Sequence, residues 1–169
     1  MNPSKRIINL QFEEFDSSNE LPEIERELLD RAKLTRGNAY APYSGFHVGA
    51  AVILEGGEII SANNQENAAY PSGLCAERVV LFYAGSTHPN SVIKTMAIAC
   101  KSNFYEVNEP ISPCGACRQV IAEAERRQSK KIRILMHGNS GKVIACDGVE
   151  NLLPMMFKGE FLERNNKQQ

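Results

Sequence analysis

The chain has 169 residues, is 43% hydrophobic and 23% charged, and carries a formal net charge of −1, the profile of one globular domain able to bury a substantial core. That charge excludes the basic surplus with which proteins grip a polynucleotide backbone, and no apolar run reaches the roughly 18 residues that would cross a membrane. Met1 to Lys5 is polar, without the pattern of a secretory leader, so a cytoplasmic protein with no membrane and no nucleic-acid partner is expected.

Ile8, Leu10 and Phe12 alternate with polar neighbours, which predicts a short amphipathic strand, an arm lying on a sheet edge or on a neighbouring subunit. Asp16 to Asn19 supplies turn and capping chemistry. Pro22 suits a first helical turn, and Ile24, Leu28, Leu29 and Ala32 form an apolar stripe on a helix running to about Asn38. Tyr40 to Gly45 is a loop punctuated by Pro42 and Gly45. Val48 to Leu54 reads as a buried strand, and Gly56-Gly57 as a hairpin turn into a second strand over Glu58 to Ala62. Asn63 to Leu74 is a polar loop. A helix opens at or just before Cys75 and carries Val79, Val80, Leu81 and Tyr83. A strand over Thr95 to Ala99 follows, then a long loop over 101–113 and a helix from about Cys114 with Val120, Ile121 and Ala124 on its apolar face. Two strands, Ile132 to Met136 and Lys142 to Cys146, complete five core strands in an α/β layered fold. The basic run of Arg126, Arg127, Lys130, Lys131 and Arg133 reads as a solvated helix end and its loop. Arg118 and Gln119 read as structural, packing or hydrogen-bonding near the start of the third helix.

Five cysteines, an odd number with no secretory leader, argue against a disulfide framework. Three of them stand as Cys75-Ala76-Glu77 and Pro113-Cys114-Gly115-Ala116-Cys117. A Cys-x-x-Cys pair with one remote Cys supplies three thiolates to a tetrahedral Zn²⁺ and leaves the fourth position open for water, as catalytic zinc sites do. Glu77, two residues past the first ligand, reaches such a water without ligating the metal, which is the layout of zinc deaminases. Removal of the amine from a cytosine ring needs a nucleophile at C4, a proton at N3 and a proton on the departing ammonia. Glu77 suits that shuttle. Three thiolates around a dication leave a net negative charge, and Arg78 is placed to offset it. Each ligand sits at a predicted helix start, where free backbone N–H groups favour the thiolate. Two other readings stay open. A closed structural zinc site needs a fourth protein ligand, from His47, His88 or His137, and leaves Glu77 without a task. A thioredoxin-like redox pair leaves both Cys75 and Glu77 unexplained.

Assembled, these residues resemble the cytidine deaminases that act on free nucleosides. The resemblance runs through Ala39 to Phe46 with Val48 to Ala51, Asn64 to Pro71, Cys75 to Arg78, Ser112 to Gln119, and Leu152 to Phe157, five blocks in family order. It implies hydrolytic deamination of cytidine and 2′-deoxycytidine to their uridine counterparts, with ammonia released, in pyrimidine salvage. It further implies one Zn²⁺ per subunit on Cys75, Cys114 and Cys117, with Glu77 catalytic and Arg78 compensating charge. Asn64 and Glu66 would hold the ribose hydroxyls, Phe46 would pack on the base, and backbone at Ala76 and Ser112 would meet its polar edge. Phe157 would enter a neighbouring subunit's site, so a homotetramer with shared active sites is expected. The implied fold is three-layer α-β-α with a mixed five-stranded sheet and helices on both faces. The chain then divides into a strand-like arm over 1–22, a cytidine deaminase-like domain over 23–163 and a polar tail over 164–169.

Overall fold

A computed structural model describes residues 3–162, so the tail expected over 164–169 lies outside the described residues. Six strands, β1 (Glu13–Phe15), β2 (Phe46–Leu54), β3 (Ile59–Asn63), β4 (Ile93–Ser102), β5 (Arg133–His137) and β6 (Val143–Asp147), form one sheet. Three helices, α1 (Glu23–Thr35), α2 (Ala76–Thr87) and α3 (Gly115–Gln128), cover it. The strand order is β1-β6-β5-β4-β2-β3. Only β4 and β5 run parallel, with α3 carrying the crossover between them, so the sheet is mixed.

Side chains alternate across a strand, and the sequence uses both faces. Ala50, Val52 and Leu54 of β2, Met96 and Ile98 of β4, and Ile134 and Met136 of β5 face α2 and α3. Their sequence neighbours Ala51, Ile53, Ala97, Ala99 and Leu135 face Leu28, Leu29 and Ala32 of α1. Continuous apolar runs follow from burial on both sides, and the result is three layers. Small residues on the α1 side let that helix lie close. At Gly49 an added Cβ would stand 2.0 Å from the Ala32 carbonyl oxygen, so only glycine fits. Full burial of Leu28 and Leu29 contributes about 1.5–3 kcal/mol each. Ile24, expected on the same stripe, is instead exposed.

The sheet has six strands where five core strands were expected. The additional one comes from the N-terminal arm, and it forms at Glu13–Phe15 rather than at Ile8, Leu10 and Phe12. Those three apolar residues are exposed and unpaired. The reason is electrostatic. Glu13 meets Arg133 on β5, and Glu14 meets Lys142 just before β6. Just upstream, the Gln11 N–H donates to Asn151 Oδ1 at 2.9 Å and leaves the ladder.

Two loops bear on the site. Gly45, with φ +61°, turns the 40–45 loop under the Phe104 ring, and the Asn103 N–H donates to its carbonyl at 3.0 Å. The 103–114 loop is pinned by the turn after β5. The Asn139 N–H donates to Val107 O at 2.6 Å, and Ser140 Oγ bonds Asn108 Oδ1 at 2.9 Å. Gly138 permits that approach, since a Cβ there would lie 2.3 Å from Val107 O. Among the described residues no helix is long and apolar enough to cross a membrane.

Candidate active site

Helices α2 and α3 begin side by side on one face of the sheet, and their starts bring the three cysteines together. Cys75 is the N-cap of α2, Cys114 the N-cap of α3, and Cys117 the third residue of α3. Sγ of Cys114 lies 3.9 Å from that of Cys75 and 3.4 Å from that of Cys117. All three sulfurs fall within 4.8 Å of one another. Zinc–sulfur bonds of about 2.3 Å in a tetrahedron require S···S edges of roughly 3.8 Å, so the donor set fits zinc in spacing and in chemistry. Neither cap side chain accepts a helix N–H, so the sulfurs turn to one another instead of to the helix ends. Among the described residues no histidine or carboxylate joins the cluster. His88 is instead held by Glu58 at 3.0 Å and by Thr87 Oγ1 at 2.8 Å. The closed four-ligand reading therefore finds no fourth ligand there.

The electrostatics of the cluster are uneven. The Cys75 thiol is drawn down to about 5, first by the hydrogen bond Cys117 donates to its thiolate and then by Arg78. Cys117 is pushed up as the donor of that bond and by its burial. Arg78 Nη2 reaches Cys75 Sγ at 3.9 Å and the Gly73 carbonyl at 3.3 Å. Glu77 is only 4% exposed. Burial, and after it the negative Cys75, raise its carboxyl above the ordinary range.

A cleft of about 690 Å³ opens in front of the cluster. Phe46, Asn64, Glu66, Cys75, Glu77, Arg78, Ser112 and Cys114 all line it, so most of the residues singled out from the sequence meet here. Asn64 braces the cleft wall, accepting from the Val48 N–H at 2.7 Å and donating to Phe46 O at 2.9 Å. Glu66 accepts from Ser44 Oγ at 2.5 Å and from the backbone N–H groups of Tyr43 at 2.9 Å and Ser44 at 3.3 Å. The Ser44 hydroxyl, followed by those N–H groups, holds its carboxyl below the usual range. Ala76 is fully buried at the first position of α2. Phe157 lies apart from this cleft, 61% exposed, with its carbonyl accepting from Gln119 Nε2 at 2.9 Å. Tyr43 and Tyr70, to which the sequence assigns no part, form an edge-to-face pair with centroids 6.3 Å apart at the cleft. Their membership of the motif blocks was the available signal. A separate depression of about 350 Å³, lined by Leu54, His88, Asn90 and Arg127 among others, holds none of the predicted residues.

A model of the cytidine and deoxycytidylate deaminase zinc-binding region matches residues 22–133. The cytidine deaminase of Halalkalibacterium halodurans is 37% identical over 133 residues, covering 79% of this chain and 93% of that protein. The cytidine deaminase of Sporosarcina psychrophila is 45% identical over 97 residues, covering 57% of this chain and 67% of that one. The crystal structure of cytidine deaminase from Burkholderia pseudomallei superposes with a TM-score of 0.67 at 34% identity, covering 78% of this chain and 97% of that one.

Proposed function

The chain belongs to the cytidine and deoxycytidylate deaminase family, and from that premise we propose that it hydrolytically deaminates cytidine and 2′-deoxycytidine, with release of ammonia, to uridine and 2′-deoxyuridine in pyrimidine salvage. The observation that carries the reading is the three-sulfur cluster with no fourth protein ligand among the described residues, opening on a cleft beside a buried carboxyl. Cys75, Cys114 and Cys117 would hold one zinc per subunit. When bound, the metal supplies a Lewis acid that makes water a competent nucleophile near neutral pH.

Glu77 has the placement and proton affinity of an acid–base group. It would take one proton from the attacking water and deliver it to the ring nitrogen beside the reacting carbon, then take the second proton from the hydroxyl now on that carbon and give it to the amino group, which departs as ammonia as the carbonyl forms. A carboxyl raised by burial gives and takes protons nearer neutrality than an ordinary glutamate. Arg78 offsets the surplus negative charge of three thiolates. Phe46 offers an apolar ring to the base, while Ala76 and Ser112 offer backbone to its polar edge. Asn64 and Glu66 would meet the ribose hydroxyls. Glu66 can do so while bonded to Ser44, because a carboxylate accepts about four hydrogen bonds.

The cleft supports a nucleoside over a nucleotide. Arg78 is the one cation among its described lining residues, and it is engaged with Cys75 and Gly73. A 5′-phosphate would therefore meet no free cation and would approach Glu66. We further propose a cytoplasmic homotetramer in which Phe157 completes a neighbouring subunit's cleft. Its exposure, and the fact that it does not line the chain's own cleft, support that assignment.

Ammonia release from cytidine by zinc-loaded protein, with Glu77→Gln alongside, tests the reading. Wild type should release ammonia, and the variant should keep zinc and fold while losing about 10²–10⁴-fold in kcat. No release by folded, zinc-loaded wild type refutes the substrate; near-normal turnover by the variant refutes the role of Glu77.

A further inference from the structure

Arg118 follows the ligand Cys117 on α3, and its guanidinium folds back beneath the start of the helix. Nε donates to the Pro113 carbonyl at 2.7 Å, Nη2 to Ser112 Oγ at 3.0 Å, and Nη1 to the Leu152 carbonyl at 2.7 Å. No carboxylate pairs with it among the described residues, so its donors go to neutral acceptors in two separate chain segments. One is Ser112-Pro113, which carries a cleft wall and leads directly into the ligand Cys114. The other begins at buried Leu152 and runs to Phe157, whose carbonyl is held by the next residue of α3, Gln119, at 2.9 Å.

A guanidinium is planar, and its donors point in fixed directions. Three acceptors on one such plane hold fixed positions relative to each other, and charge-assisted donors make those bonds about twice as strong as neutral ones. The peptide plane of Pro113 sets where Cys114 begins, and therefore where its sulfur lies. We propose that Arg118 is a positioning residue for the deamination: it locks the Ser112–Cys114 segment to the Leu152–Phe157 segment, so that cleft wall, sulfur ligand and C-terminal segment share one register. This rests on the deaminase reading above. Lysine cannot replace it fully, because one ammonium cannot span three acceptors in a plane.

The test compares kcat and KM for cytidine in wild type, Arg118→Met, Arg118→Lys, Ser112→Ala and the Ser112→Ala/Arg118→Met pair, all at equal zinc content. Arg118→Met should lose about 100-fold in kcat/KM, with KM raised as well as kcat lowered, and Arg118→Lys should fall between. Ser112→Ala should add almost nothing on the Arg118→Met background, since both act through one contact. A loss that tracks the folded fraction at wild-type KM, or full additivity of the pair, overturns the proposal. Should Arg118→Met fail to fold, Arg118→Lys is read for the same split. Amide exchange supplies a readout without substrate. Residues 109–114 and 149–157 should lose protection together in the variant, and loss in one segment alone overturns the lock. Wild type inert toward cytidine would refute the deaminase reading, while exchange would still decide the lock.

Discussion

Arg78→Gln removes the cation beside the cluster and leaves side-chain length nearly unchanged. Its Nη2 stands 3.9 Å from Cys75 Sγ, a distance at which opposite charges attract by about 4 kcal/mol at an effective dielectric near 20. Water around the half-buried thiol screens that to roughly 2 kcal/mol, or about 1.5 pH units. In the zinc-free protein the Cys75 midpoint should therefore rise from about 5 to about 6.5. It stays below the ordinary cysteine range because the hydrogen bond from Cys117 is the larger influence and survives. The assay is the alkylation rate of Cys75 against pH, followed by peptide mass. Because folding depresses this thiol, its contribution to zinc-free stability is complete above the unfolded value and fades as pH falls toward about 5. In the variant it should be exhausted already at about 6.5. Zinc should also pass to a chelator about tenfold more readily, the equivalent of roughly 1.4 kcal/mol. A Cys75 midpoint unchanged by the substitution would refute the compensating role of Arg78.

Phe157→Ala should lower cytidine turnover about tenfold or more while leaving the zinc content of each chain intact, since the ring is exposed on its own subunit. Sedimentation measures assembly in parallel, and wild-type turnover with unchanged assembly would refute the shared site. Arg133→Met should destabilise the protein by about 2 kcal/mol, lowering Tm by roughly 4–8 °C. Arg133 holds Glu13, Glu25 and Asp147, and among the described residues Glu25 already has one buried oxygen without a partner. Calorimetry checks this, and exchange at Glu13–Phe15 should quicken as β1 loosens.

What the sequence disclosed and what it hid divide along the reach of the interactions. The cluster was legible because its chemistry is local. Cys75, Glu77 and Arg78 fall within one helical turn, and Cys114 with Cys117 in another. The strands were legible because burial on both faces writes continuous apolar runs such as Ala50 to Leu54. The placement of β1 was not legible. Alternation at Ile8, Leu10 and Phe12 imitates a strand, while β1 is held by Phe15 packing on the core and by Arg133 and Lys142, more than 100 residues away. Arg118 reads in the sequence as structural, by packing or hydrogen bonding, and its link to Leu152 stays hidden because only the fold brings that segment near.

The two ligands that open helices pose a sharper problem. A helix N-terminus leaves four N–H groups unsatisfied, and serine, threonine, aspartate or asparagine at the cap relieves one of them. Cys75 and Cys114 occupy those positions and cap nothing. Relative to serine, each omission costs about 1 kcal/mol of helix stability. In this fold the three sulfurs converge where two helices start together, so stability is given up where the metal ligands stand. Cys114→Ser makes this measurable. In chelator-treated protein the new hydroxyl can accept from the N–H of Ala116 or Cys117, and Tm should rise by about 2–4 °C. In zinc-supplemented protein the same variant should be less stable than wild type, because a hydroxyl is a poor replacement for a thiolate and bound zinc stabilises only the folded chain. The order of the two melting temperatures should therefore invert with zinc. A variant that melts below wild type in both conditions would mean that the Cys114 thiol is needed for packing, and that the cap position is not the point of conflict.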